Sequence, residues 1–257
     1  MPIFKCENKL AYYAHVPKCG GSSIAEYIEY RFGRPGFHDN NYHNIPEQQR
    51  WTRSSPQHVD WRTMEQLIPF SLFDVIFSIV RHPVPRAIST YHFQLEVEKV
   101  ISADVAFSDW LAELEVGREP FAYDNHVLPM NRIVPEGATI FHLEHGLDSL
   151  ILWLDLISGT QGPPRAIGTV NQRGTHVAVK SQKVIPTESD LTRIYTLYAE
   201  DFKRFGYEPD NRTPKADKPE ISDDFLRARD LELKEKNKPL ARLQRSLRFK
   251  VRKKFNL

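Results

Sequence analysis

A chain of 257 residues with 40% hydrophobic side chains can bury the core of one α/β domain with an appendage, or of two small domains. It contains no apolar run near the ~20 residues that span a bilayer, and Cys6 and Cys19 alone cannot build a disulfide framework. Residues 234–257 hold ten Lys and Arg and one acid. Residues 1–233, the body of the chain, therefore carry 25 bases and 32 acids, a net charge of −7. This negative charge disfavours nucleic-acid binding by the body.

The first predicted elements form a strand, a tight loop and a helix. A short, mostly apolar run over Leu10–Val16 predicts a buried strand. Gly20-Gly21 mark the loop, and Ser22 or Ser23 is expected to cap a helix that runs through Phe32. This order places a polar loop at a helix N-terminus.

The residue types of that loop are those of an anion site. Backbone amides at a helix N-terminus bind anions together with the helix dipole. Lys18 would add charge, and the glycine pair would let the backbone approach an oxyanion closely. The lysine precedes the glycines, whereas a Walker A loop requires Gly-Lys-Ser/Thr in that order. An ordinary strand-to-helix turn is the alternative interpretation.

The next predicted elements repeat this arrangement. Segment 34–60 is rich in Gly, Pro, Asn, His and Gln and predicts an ordered loop over the site. Phe73–Val80 predicts a second buried strand, and Pro85 suits the first turn of a helix that runs to about Val100.

Arg81 follows the second strand directly, at the edge where open α/β sheets bind ligands. A guanidinium suits bidentate contact with a phosphate. Ser89, on the following helix, is expected to meet the same phosphate. Taken singly, Arg81 could equally be a surface ion-pair partner, but two anion loops at equivalent strand ends favour the phosphate interpretation.

The rest of the pattern completes an α/β fold. It predicts a strand over Ala138–Leu143, a helix over Leu147–Ile157, and a helix to about Phe205 that opens on the capping box Thr187-x-x-Asp190. Strands followed by helices predict a P-loop-like parallel β-sheet flanked by helices. We expect a domain over residues 1–210, followed by a linker and a basic helical C-terminal tail over residues 211–257.

Two stretches carry a family resemblance. Pro17-Lys18-Cys19-Gly20-Gly21-Ser22-Ser23 resembles the 5'-phosphosulfate loop of the sulfotransferases, and Arg81 through Ser89 resembles their 3'-phosphate motif. The form His-x-Pro-Lys-x-Gly-Gly-x-Ser is most similar to the carbohydrate sulfotransferases, including the heparan 2-O-type enzymes and their bacterial relatives. Weaker likeness extends over roughly residues 10–207. Cys19 stands where threonine is commoner in the family.

The resemblance implies transfer of a sulfuryl group from 3'-phosphoadenosine 5'-phosphosulfate (PAPS), leaving the desulfated product PAP. The acceptor would be a hydroxyl, of a carbohydrate or glycolipid. The implied cofactor-binding residues are Pro17, Lys18, Cys19, Gly20, Gly21, Ser22, Ser23, Arg81 and Ser89. Lys18 would also be catalytic, through the bridging oxygen of PAPS. The family requires no metal, and the sequence has no cluster of acids and histidines at metal-ligand spacing.

An acceptor hydroxyl must lose its proton during attack, and a histidine can take it. His58 lies between the two phosphate loops, where the 2-O-type enzymes place their base, and it is the predicted catalytic base. His126 is the alternative base or, with Asn125, an acceptor contact. The competing interpretation makes each of these side chains structural.

The tail predicts a basic amphipathic helix, because Leu240, Leu243, Leu247 and Val251 recur at three- and four-residue spacing among arginines and lysines. It would pack on the body or on a partner subunit, or bind an anionic membrane surface or a polyanionic acceptor. We expect a cytoplasmic enzyme, peripheral to the membrane, with the lumenal domain of an anchored enzyme as the alternative. A specific nucleic-acid partner is not expected.

Two other functions fit parts of the sequence. A nucleotide-dependent kinase or NTPase also uses a strand–loop–helix phosphate site, but its Walker residues are not in order here. A non-catalytic protein that binds polyanions or membranes would explain the tail and would leave both anion loops without a role.

Overall fold

The computed structural model describes residues 1–117, 119–159, 167–168, 182–236 and 238–255. Its centre is a four-stranded sheet in the spatial order β1 (Ile3–Cys6), β2 (Lys9–Ala14), β3 (Val75–Val80) and β4 (Thr139–His142). β2, β3 and β4 are parallel, and β1 pairs antiparallel with β2. The predicted α/β fold with a mostly parallel sheet is therefore confirmed. β1 was not predicted from the sequence, because its four residues are too few to show an alternation of apolar and polar side chains.

The helices in chain order are α1 (Gly21–Phe32), α2 (Trp61–Leu67), α3 (Pro83–Glu96), α4 (Phe107–Val116), α5 (Asp148–Ser158), α6 (Glu188–Leu197), α7 (Ala199–Phe205), α8 (Asp223–Lys236) and α9 (Pro239–Phe255). Of these, α2 and α4 were not predicted. The helix expected to end near Val100 ends at Glu96, and the one expected to reach Phe205 is interrupted at Tyr198. There the backbone leaves the helical region while the phenol donates to the Val127 carbonyl.

The predicted capping of α1 is wrong. Gly20 is the N-cap residue, with a left-handed φ of 80°, and no side chain caps the helix. Ser22 and Ser23 therefore lie inside the first turn. Glycine takes the cap position because a residue with a Cβ is strained at that φ.

Aromatic side chains fill the centre of the core. The ring of Phe77 on β3 stacks on Tyr13 of β2, with centroids 5.0 Å apart, and contacts Trp153 of α5 at 5.3 Å. Phe141 of β4 also contacts Trp153, at 5.5 Å. Burying a large apolar side chain contributes about 1.5–3 kcal/mol, so this cluster holds α5 against the three parallel strands.

Beyond α7 the chain turns back over the body. The Lys215 amide donates to the Gly206 carbonyl, and the imidazoles of His145 and His82 pair with the carbonyls of Ala216 and Glu208. The division at residue 210 stays a prediction, but these contacts attach residues 208–216 to the sheet's carboxyl edge. Within the described ranges, every helix lacks the length and apolar character needed to cross a bilayer.

Candidate active site

The carboxyl ends of β2 and β3 open into a cleft of about 1680 Å³. The predicted site residues that line it are Pro17, Lys18, Gly20, Gly21, Ser22, Ser23, His58, Arg81, Ser89 and His126. Cys19 and Asn125 do not line it. Cys19 is buried behind its loop, where burial raises the pKa of the thiol to about 12. The Asn125 amide donates to the His58 carbonyl, 2.8 Å away, and so contacts the predicted base rather than the open cleft.

The loop after β2 is a tight cradle at the start of α1. Lys18 and Gly20 both have left-handed backbone conformations, with φ of 65° and 80°. A Cβ on Gly21 would lie 1.6 Å from Nε2 of His15, so only glycine lets this ring pack under the first turn of α1. The loop therefore presents backbone amides and little side-chain bulk, which suits close approach of an oxyanion.

The Lys18 ammonium lies 3.7 Å from the centroid of the Phe93 ring. Burial and, to a smaller extent, the nearby charge of Arg81 lower the pKa of Lys18 to about 8. Among the described residues it forms no ion pair with a carboxylate. The Lys18 ammonium is held by the aromatic face but its charge is not neutralised by a carboxylate, so it is available to bind an anion.

Arg81 is held at the opening by the elements around it. Its guanidinium donates to the Lys18 carbonyl at 3.3 Å, which couples the two phosphate loops. Glu144 lies just after β4, and its carboxylate accepts two hydrogen bonds. One comes from the backbone amide of His82, the residue after Arg81, at 2.7 Å, and the other from the Tyr207 hydroxyl at 2.9 Å. Glu144 and Tyr207, which lie within the weaker family likeness over residues 10–207, therefore help to position this loop.

Arg212 is a cleft residue that the sequence analysis missed. It lies in the segment that was expected to be a linker, and its side chain is exposed on the cleft wall. Burial lowers the pKa of His82, and the charges of Arg212 and Arg81 lower it further, so both cations lie near this imidazole. No motif distinguishes Arg212 in the sequence; only the fold-back of residues 208–216 brings it here.

Arg86 lies within the resemblance to the 3'-phosphate motif but is buried away from the cleft. Its guanidinium donates to three backbone carbonyls: Pro17 at 3.3 Å, His126 at 3.0 Å and Leu128 at 2.7 Å. It thus joins the loop after β2 to the segment that carries His126.

His58 is bonded to a carboxylate that lies 66 residues away in the chain. Its Nδ1 is 2.6 Å from Oδ2 of Asp124. Ser55 donates to the same carboxylate twice, from its amide at 2.5 Å and from its hydroxyl at 2.6 Å, and His43 approaches it at 3.2 Å. Burial opposes ionisation of Asp124, but the interactions with His58 and His43 hold the pKa of this carboxyl well below its usual range.

Two further imidazoles contact His58. Its ring centroid is 4.8 Å from that of His126 and 5.0 Å from that of His15. Burial and the neighbouring His58 lower the pKa of both of these histidines well below the usual value. Nδ1 of His126 is 3.0 Å from the amide nitrogen of Gln94. The fold thus assembles a cluster that no local spacing indicated, and donor atoms of His58, Asp124 and His126 lie within 4.8 Å of one another.

The turn that carries Asp124 is strained. Tyr123, Asp124 and Asn125 are consecutive residues with φ between 52° and 61°, and Phe121 has a φ of 69°. Left-handed conformation costs roughly 1–2 kcal/mol for each residue that has a Cβ. Hydrogen bonds from Ser55 and to the His58 carbonyl offset this cost, as expected where strain places a functional group.

One family comparison covers most of this cleft. The family model described as the sulfotransferase family matches residues 2–208. Searches of curated proteins and of solved structures find no match to this chain. The matched range contains both phosphate loops, His58 and His126, and it ends before Arg212, α8 and α9.

Proposed function

The chain belongs to the sulfotransferase family, and from that premise we propose that it transfers a sulfuryl group from PAPS to an acceptor hydroxyl. The observation that carries the proposal is the pairing of two cationic loops at adjacent strand ends with a carboxylate-bonded histidine in the same cleft. These parts suit a sulfuryl transfer, because its catalysis consists of positioning, charge stabilisation and removal of the acceptor proton.

The residues of the cleft fit the donor. The tight glycine cradle at Gly20 and Gly21 suits a 5'-phosphate, and Ser22 and Ser23 lie in the first turn of the same helix. Arg81 and Ser89 line the same cleft and would hold the 3'-phosphate. PAPS supplies the sulfuryl group and a phosphate leaving group.

Two residues would carry the chemistry. The Lys18 ammonium would stabilise the negative charge that grows on the leaving phosphate oxygen. His58 would take the proton of the acceptor hydroxyl at its second nitrogen, Nε2, and release it to solvent. We assign no step to a metal ion, since the sulfotransferases that the chain resembles require none.

A carbohydrate hydroxyl is the proposed acceptor. The cleft lining combines the hydrogen-bonding side chain of Asn40 with the rings of Phe121 and Tyr123. Sugars offer hydroxyls to such polar groups and an apolar ring face to aromatic rings. We also propose a cytoplasmic location, since Cys6 and Cys19 are free, buried thiols.

Thermal stabilisation tests the donor. PAP should raise the melting temperature with or without EDTA, and ATP with magnesium should not. Stabilisation by ATP with magnesium but not by PAP would indicate a kinase or NTPase and would refute the proposal. Labelled PAPS incubated with pools of glycans, glycolipids, phenols and small metabolites should then label the glycan or glycolipid pool.

Turnover tests the base. His58→Ala should lower turnover by about 10²-fold or more, because a general base contributes roughly 10²–10⁴-fold. PAP affinity should change by only about threefold, since Ser55 and Asp124, which bond the His58 ring, lie outside both phosphate loops. Near-normal turnover for His58→Ala, with a collapse for His126→Ala, would transfer the role to His126.

A further inference from the structure

Three imidazoles meet in the cleft, and of these three only His58 has a carboxylate among the described residues as its hydrogen-bond partner. His58 bonds Asp124 at 2.6 Å, whereas Nδ1 of His126 faces the amide nitrogen of Gln94 at 3.0 Å. An amide nitrogen is a donor, so Nδ1 of His126 accepts and its proton lies on Nε2. A carboxylate is an acceptor, so Nδ1 of His58 carries the proton and Nε2 of His58 keeps a free lone pair.

Hydrogen bonds also hold the carboxylate of Asp124 in place. Ser55 binds one oxygen of Asp124 through its amide and the other through its hydroxyl. Asn125, the next residue in the strained turn, donates to the His58 carbonyl at 2.8 Å. The turn and the histidine therefore hold each other in one relative orientation, at contacts that are 66 and 67 residues apart in sequence.

We propose that Asp124 is the positioning residue of the reaction: it fixes the proton of His58 on Nδ1 and so selects His58, among three adjacent imidazoles, as the base. This inference rests on the proposed function of the cleft. Asp124 does not contact the acceptor and stays ionised throughout. Its effect on turnover passes entirely through His58.

The test is a double-mutant cycle on the full chain. Asp124→Asn should lower turnover by about ten- to a hundredfold while PAP affinity changes by about threefold or less. The double variant His58→Ala/Asp124→Asn should be no slower than His58→Ala alone, because the carboxylate has nothing left to orient. Glu113→Gln, which removes another carboxylate of the cleft wall, is the matched control and should retain normal turnover. Losses that multiply in the double variant would overturn the proposal.

A second readout does not depend on turnover. The ¹⁵N shifts of the His58 ring, assigned by their loss in His58→Ala, should report a proton on Nδ1 in the wild-type protein. An Nε2–H tautomer would overturn the proposal even if Asp124→Asn failed to fold. If the protein transferred no sulfuryl group but His58 carried its proton on Nδ1, the proposed function would fall and the pairing would stand.

A separate observation concerns α9, four of whose apolar side chains face solvent. Leu240, Leu243, Leu247 and Val251 lie at three- and four-residue spacing and are 76, 59, 54 and 51% exposed. The structure leaves this stripe uncovered by the described part of the body. The side chains of Arg242, Arg245, Arg252 and Lys253 lie outside what the structure describes.

The charge of α9 is unbalanced along the same helix. Its sequence holds seven Lys and Arg residues and no acid, and the described side chains of Arg248 and Lys250 are exposed. The preceding helix, α8, differs because it pairs its charges internally, as in Lys236–Glu232. An exposed apolar stripe with cations beside it is typical of a helix that lies in the interface of an anionic bilayer.

We infer that α9 binds an anionic lipid surface. Vesicles of phosphatidylcholine with phosphatidylglycerol should sediment with the full chain, and phosphatidylcholine vesicles should not. Leu243→Gln/Leu247→Gln should lose about tenfold or more in vesicle affinity, and Arg248→Gln/Lys250→Gln a smaller part. Ser246→Gln is the matched control. Vesicle binding that survives loss of the leucines, or a dimer that depends on them, would overturn the inference.

Discussion

The two sides of the cleft are built in different ways. On the side proposed to bind the sulfuryl donor, called the donor side below, Lys18 and Arg81 follow the ends of strands and have no carboxylate partner among the described residues. The acceptor side is the side that carries the proposed base. On the acceptor side, His58 and Asp124 lie in loops and are bonded to each other and to their neighbours. The donor side is arranged to receive charge, and the acceptor side to hold a proton in one place. Substitutions on the donor side should change cofactor affinity, and those on the acceptor side should change turnover.

The largest effect is expected where the two sides are joined. Arg86 donates to the carbonyl of Pro17 on the donor side and to those of His126 and Leu128 on the acceptor side. Arg86→Ala leaves these carbonyls without their donor and should lower the free energy of unfolding by about 3 kcal/mol or more. Urea denaturation measures this change. Arg86→Lys should lose less, and unchanged stability with weakened PAP binding would show that Arg86 acts on the cofactor instead.

The next largest effect is expected on the donor side. Arg81→Ala should weaken PAP binding by about 10- to 100-fold, since a hydrogen bond to a charged group contributes roughly 1.5–3 kcal/mol. Arg212→Ala should weaken it less, because that side chain is exposed. Calorimetry measures both. Arg53→Ala, which removes an exposed cation beside the Phe121 ring on the acceptor side, is the control. Equal losses for Arg53 and Arg81 would indicate general electrostatic attraction rather than a phosphate site.

Alkaline pH should weaken the donor side alone. Burial lowers the pKa of Lys18 to about 8, so its side chain is an ammonium below that pH and a neutral amine above it. Because the bound phosphate requires the ammonium, PAP affinity should be constant below pH 8 and fall by up to about tenfold per pH unit above it. Lys18→Arg, which stays charged, should remove this dependence. The same slope in Lys18→Arg would place the titration elsewhere.

The phosphate loops of the donor side could be predicted from the sequence, whereas the contact between His58 and Asp124 on the acceptor side could not. Each phosphate loop is contiguous and follows a strand, so its residues and their common edge could be predicted from local pattern and from the parallel sheet. Asp124 gave no such signal. It meets His58 through a run of left-handed residues that includes Tyr123, a conformation that local propensity disfavours. Arg212 reaches the cleft through contacts of the chain after α7, which composition alone described as a linker.

The smallest predicted effect tests why His126 is not the base. The reason is either the tautomer of its ring or the position of the ring in the cleft. In Gln94→Glu a carboxylate would replace the amide at Nδ1 of His126, so the proton would move to Nδ1 and Nε2 would become basic. In the His58→Ala background this change should raise turnover a few-fold, by about the part of a general-base contribution that an imperfectly placed imidazole can supply. Gln94→Met, which removes the donor without adding an acceptor, is the control and should give no gain. Equal turnover for the two Gln94 variants would mean that Nε2 of His126 does not reach the acceptor hydroxyl, and that the two sides of the cleft admit a base at His58 alone.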